Sequence, residues 1–114
     1  MSKSLGSRQY AIIALTVITA VIHLLLGIRF LPDSLGIIFI LNGIGYLVLL
    51  IGLYFIPQLA PRRSLIRWLL LAFTALTFVL YFVFNWPDVW GLMGLVDKGV
   101  ELLLIILLLL DRNS

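Results

Sequence analysis

The sequence predicts an all-α fold, a four-helix transmembrane up-down bundle with both termini in the cytoplasm. Three observations predict it. The 114-residue chain is 63% hydrophobic and 11% charged, with a mean hydropathy of +1.22, whereas a soluble domain carries roughly a quarter charged residues. A chain this short and apolar cannot clothe itself in polar surface, so the bilayer has to be its solvent. Its apolar residues fall into four stretches, each with roughly the 20 residues that a hydrocarbon layer of about 30 Å requires. The segments between them are short and carry helix breakers, and the basic residues are distributed unevenly among them. The length allows a single domain, residues 1–114.

Span one covers about 10–30. Lys3 and Arg8 precede it like the basic start of a signal peptide, but the apolar segment is longer than a usual signal core and no small-x-small cleavage site follows. It is predicted to be a retained span. Thr16, Ala20, His23 and Gly27 lie at i, i+4, i+7 and i+11, one helical face whose small residues let a second helix approach closely.

Span two, about 34–56, follows the breaker Pro32-Asp33. Asp33 is placed to act as an N-cap for the first free N–H groups. The matching face of this span is Asn42, Gly45, Leu49 and Gly52. Span three, about 65–84, follows the loop from Pro57 through Pro61, Arg62 and Arg63 to Ser64. Its stripe is Arg67, Thr74, Thr77, Tyr81 and Asn85.

Span four lies within 89–110, after Asn85-Trp86-Pro87-Asp88, where Asp88 repeats the N-cap pattern. Its stripe is Asp97, Glu101, Leu104, Ile105 and Leu108, and nine unbroken Leu and Ile residues run from Leu102 to Leu110. If the helix starts just after Asp88, Glu101 lies about 18 Å deep. If Trp86 to Gly94 forms an interfacial turn, the depth is roughly 10 Å. Short connections make sequential spans antiparallel neighbours, and the simplest assembly turns all four stripes inward.

Orientation follows from charge. Lys3 and Arg8 precede span one, and Arg62, Arg63 and Arg67 surround the middle loop. These read as topology anchors and place the termini and that loop inside, in a multi-pass plasma-membrane protein. Tyr10 and Trp68 suit an inner aromatic belt, Trp86 and Trp90 an outer one. Arg29 next to Asp33 reads as a salt bridge within a loop. Pro32-Asp-x-x-Gly36 and Pro87-Asp-x-x-Gly91 form an internal echo, compatible with two parallel repeats in which Asn42 matches Asp97.

Several function classes lack support. The chain has no cysteine, which excludes disulfides, thiolate metal sites and thiol redox chemistry. Its net charge of +3 sits at span ends rather than in a phosphate-binding stripe, so no nucleic-acid partner is expected. No Ser/His/Asp set or phosphate-cradling glycine loop is present, and the protein is expected not to be an enzyme.

What remains is a candidate intramembrane polar cluster of His23, Asn42, Tyr81, Asn85, Asp97 and Glu101. A carboxylate carried into hydrocarbon is costly unless it is partnered. Glu101 therefore reads either as a protonation-linked coupling residue or as a neutral or paired group tying helices together. Asp97-Lys98 reads as a boundary pair with Lys98 snorkelling outward. His23 reads as a satisfied packing residue, with proton shuttle and haem axial ligand as alternatives. A bis-His haem would need a second His, which only an oligomer could supply. Asp97, Glu101 and His23 form a conceivable divalent site, but two carboxylates one turn apart have plainer explanations, so no metal or cofactor is assigned.

His23-x-x-x-Gly27, Leu35-Gly36-x-x-Phe39-x-Leu41-Asn42-Gly43-x-Gly45, the Arg62-Arg63 loop and Asp97-Lys98 before a Leu-rich last helix resemble an uncharacterised family of small prokaryotic four-helix integral membrane proteins. The resemblance implies four spans and no particular activity. His23, Gly27, Asn42, Asp97 and Lys98 are the positions that carry it. Small multidrug transporters share the size but carry their essential Glu in the first span, and fluoride channels lack this Lys/Arg bias.

The leading expectation is thus a non-enzymatic membrane protein with a helix-packing or accessory-subunit role, partnered by the lipid bilayer and by copies of itself or a larger membrane complex. The first alternative is a proton- or ion-coupled small transporter or channel using Glu101. The second is a haem- or quinone-binding redox subunit.

Overall fold

The computed structural model describes residues 6–87 and 90–111, and these hold four α-helices and no strand. The helices are α1 (Ser7–Phe30), α2 (Ser34–Tyr54), α3 (Arg63–Asn85) and α4 (Leu92–Leu110). The all-α four-helix bundle is as expected, with two local differences. The middle loop is wound into a short 3-10 helix, Pro57–Arg62, with Pro57 at its start, where a missing N–H costs nothing. The last helix begins at Leu92 rather than near residue 89, because extended Gly91 is its N-cap. Asp88 lies outside the described residues. Asp33 does sit at the N-cap of α2, but its side chain makes no capping bond. Its carbonyl accepts from Gly36 N–H at 2.9 Å instead.

Each helix packs on its neighbours in sequence, and α4 closes the ring against α1. The two connections between α1–α2 and α3–α4 share one end of the bundle, here called the loop end. The helix termini near Arg8 and Asp111 share the other, the terminus end, with the 3-10 helix. The molecule measures 47 × 24 × 19 Å, long enough for a bilayer of about 40–45 Å including headgroups.

The α1–α2 contact is the closest because backbone meets backbone. A Cβ at Gly36 would fall 2.7 Å from the Gly27 carbonyl oxygen, and one at Gly43 would fall 2.9 Å from the Ala20 carbonyl oxygen. The partner of the small face of α1 is therefore Gly36 and Gly43. The Asn42, Gly45 and Gly52 stripe turns to α3, where Asn42 donates to Thr77 Oγ1 at 3.0 Å and Gly45 abuts Phe73. Helix α2 is small on two faces because it has a close neighbour on each.

Apolar side chains cover the outside all round, with Leu41, Val48 and Val83 at 62%, 62% and 64% exposed. Helices Ser7–Phe30 and Ser34–Tyr54 and the segment Pro57–Asn85 are long and apolar enough to cross a membrane. Helix α4 has 19 residues and carries Asp97, Lys98 and Glu101, all buried inside the bundle. The terminus half of the interior is mainly apolar, filled by Ile12, Leu50, Leu53, Leu70, Leu104 and Leu108.

That apolar half is closed by a polar junction on Asp111, itself fully buried. Gln9 donates to Asp111 Oδ1 at 2.5 Å, Tyr54 donates to Oδ2 at 3.2 Å, and Arg67 Nε lies 3.3 Å from Oδ2. Arg8 adds a bond to the Leu110 carbonyl at 2.9 Å. Arg67, read both as a topology anchor and as part of the inward stripe of span three, is 1% exposed, because α4 brings a carboxylate to its level. Arg63 caps α2 by donating to the Leu53 carbonyl at 2.8 Å, and Arg62 stays exposed. At the loop end, Arg29 and Asp33 form no ion pair with each other.

Candidate functional site

The site is built where α1 and α4 face each other beside α2. Thr19 and His23 are one turn apart on α1, and Asp97 and Glu101 one turn apart on α4, so two pairs of polar side chains meet in register. Glu101, Thr19 and Tyr46 are 0% exposed, and His23, Asp97 and Lys98 are 3–4% exposed. Thr19 Oγ1 lies 2.6 Å from Asp97 Oδ1 and 3.2 Å from Glu101 Oε2. Tyr46, reaching in from α2, donates to Glu101 Oε2 at 2.8 Å.

His23 is held from two sides. Its Nδ1 lies 2.8 Å from the Thr19 carbonyl oxygen, and a carbonyl only accepts, so Nδ1 carries the proton. Its Nε2 is thereby aimed at Asp97 Oδ2, 3.6 Å away, and at Glu101 Oε2, 3.9 Å away. The rings of Phe39 and Tyr46, with centroids 5.9 and 5.7 Å off, fix the imidazole plane.

Lys98 does not snorkel outward. Its ammonium pairs with Glu101 Oε1, stands 3.6 Å from Asp97 Oδ2 and sits 4.9 Å from the Tyr81 ring centroid. Two carboxylates so close in low dielectric repel each other. A cation between them offsets that repulsion, and an aromatic face completes its shell. Two carboxylates against one ammonium leave one formal negative charge when His23 is neutral.

A cavity of about 80 Å³ runs from Leu35, Phe84 and Asn85 near the loop end to His23, Asn42, Asp97 and Lys98. That is room for a few ordered waters. Glu101 lies beyond its floor. Of the six residues of the expected polar cluster, His23, Asp97 and Glu101 form the buried centre, and Asn42, Tyr81 and Asn85 line the approach. Asn85 donates back to the Tyr81 carbonyl at 2.9 Å, and Asn42 Oδ1 is buried without a hydrogen-bond partner. Sequence reasoning missed Thr19 and the inward turn of Lys98. The signals were Thr19 four residues before His23 and Lys98 three before Glu101, spacings that put each pair on one helix face.

His23, Asp97 and Glu101 each offer one ligand atom, all within 4.8 Å of one another. No family model, no curated protein and no solved structure matches the chain.

Proposed function

We propose that the chain is a small integral membrane transporter or channel for a cation, with four spans, both termini in the cytoplasm and Glu101 as the coupling carboxylate. The observation that carries this reading is the one-sided cavity. It leads from the loop end to His23, Asp97 and Lys98 and stops above an interior filled by Leu50, Leu53, Leu70, Leu104 and Leu108. A half-pathway ending on buried, charged side chains is the arrangement an intramembrane ion site requires. On the charge bias of the sequence, the loop end faces outward in the plasma membrane. Helix α4 crosses because its ionisable residues turn inward, leaving Leu102, Leu103, Ile106 and Leu110 for lipid.

The test is cation flux into proteoliposomes containing the purified chain. Wild-type vesicles take up a cation above the empty-vesicle rate, and Glu101→Gln returns uptake to that rate with the helical content unchanged. Equal flux in the two proteins ends the coupling role.

A second reading, a helix-packing or accessory subunit, is favoured by the completeness of the bonding: Thr19, Tyr46 and Lys98 all engage Glu101. On that reading Glu101→Gln leaves any flux unaltered and instead loses a co-purifying membrane partner.

A further inference from the structure

Resting on the reading of the cluster as a cation site, we infer that it takes a divalent first-row transition metal, bound by His23 Nε2, Asp97 and Glu101 in competition with the ammonium of Lys98. The tautomer of His23 is set by its backbone neighbour. Because Nδ1 donates to the Thr19 carbonyl at 2.8 Å, Nε2 faces the two carboxylates with either a lone pair or a second proton. A bare lone pair opposite carboxylate oxygens at 3.6 and 3.9 Å is repulsive. A cation in that gap turns all three groups into ligands. The same Nδ1 bond to a backbone carbonyl is how proteins orient a metal-binding imidazole.

Spacing and donor type agree. Bonds of about 2.0–2.1 Å in a tetrahedral shell place neighbouring ligand atoms about 3.4 Å apart, a few tenths of an ångström inside the two His23 separations of 3.6 and 3.9 Å, and the three ligand atoms, within 4.8 Å of one another, would close on the ion. Thr19 bonds Asp97 through Oδ1, the oxygen turned from the imidazole, while Tyr46 bonds the Glu101 Oε2 that faces His23, so Oε2 would serve the phenol and the metal together, with the fourth position left to the cavity side. One imidazole and two carboxylates suit Mn²⁺, Fe²⁺, Co²⁺ or Zn²⁺ better than Mg²⁺ or Ca²⁺, which favour oxygen alone. Lys98 supplies the second, independent pointer. The polypeptide already places a cation of its own against both carboxylates, at the inner end of the cavity by which a metal would enter.

The experiment uses the full chain purified in detergent, stripped with a chelator and titrated with Co²⁺. The expected result is one Co²⁺ per chain with visible d–d bands, displaced by Zn²⁺ and not by Mg²⁺. X-ray absorption of the wild-type complex should show a single imidazole nitrogen in the shell. Lys98→Met should bind at least about tenfold tighter, since a charge a few ångströms away has been removed. His23→Gln should bind at least about 100-fold weaker, beyond the roughly 10–100-fold cost of losing a supporting residue. Helical wild-type protein without saturable Co²⁺ binding overturns the inference, as does an all-oxygen shell or Lys98→Met binding more weakly. Flux of a monovalent cation without Co²⁺ binding ends this inference and leaves the transport reading standing. Co²⁺ binding without flux of any cation does the reverse.

Discussion

Lys98 illustrates how a residue changes meaning with its surroundings. In the sequence it stands beside Asp97 at what looks like the start of a span, where a long cationic side chain ordinarily climbs to the interface. In the fold it turns the other way, because Glu101 one turn below and the Tyr81 ring across the gap hold its ammonium more closely than the interface could. Arg67 was placed on an inward stripe, but its partner was hidden: Asp111 is 44 residues away in the chain, a distance no local pattern spans. The buried Arg67–Asp111 pair yields a sharp expectation. Arg67→Met alone leaves the buried Asp111 carboxylate with only the half-exposed Arg8, 3.5 Å away, as its cation and should destabilise the protein by up to about 3–5 kcal/mol. Arg67→Met with Asp111→Asn should recover much of that loss, read by denaturant unfolding in micelles. Tyr46→Phe removes one hydrogen bond to a charged acceptor and should cost about 1.5–3 kcal/mol in the same measurement.

At the scale of elements, the two glycine-lined faces of α2 explain why sequence spacing found the right helix with the wrong neighbour. Asn42, Gly45 and Gly52 are spaced as a helix-facing stripe, and so are Gly36 and Gly43. Periodicity says that each stripe meets something; only the packed ring says that α3 takes the first and α1 the second. Gly36→Val is expected to push α1 and α2 apart, since its Cβ would meet the Gly27 carbonyl oxygen at 2.7 Å, and overpacking of this kind costs about 1–3 kcal/mol. Gly99 is the control. No atom lies within 4 Å of a Cβ built there, so Gly99→Ala should be neutral or stabilise α4 by up to about 1 kcal/mol. Thermal unfolding of the two variants side by side tells the effects apart. The number, order and approximate length of the helices were legible because apolar runs and breakers are local properties. The start of α4 was not, because Trp86 to Gly94 is apolar enough for a helix and glycine-rich enough for a turn.

For the whole molecule, the His23–Glu101 cluster and the Asp111 junction lie in the interior and apolar side chains cover the rim, the arrangement that suits a chain with three helices long and apolar enough to cross a membrane. The orientation is directly testable, since a chain without cysteine accepts single reporter thiols. Ser34→Cys is expected to react with a membrane-impermeant maleimide on intact cells, and Ser64→Cys only after permeabilisation. The reverse pattern would invert the topology. The junction at the terminus end also has a temporal side. Arg8, Gln9, Tyr54 and Arg67 all leave the ribosome before Asp111, the acceptor they share. The contacts that tie α1, α2 and α3 together at this end therefore share one acceptor that is synthesised last, and the ring closes there only once α4 has been made.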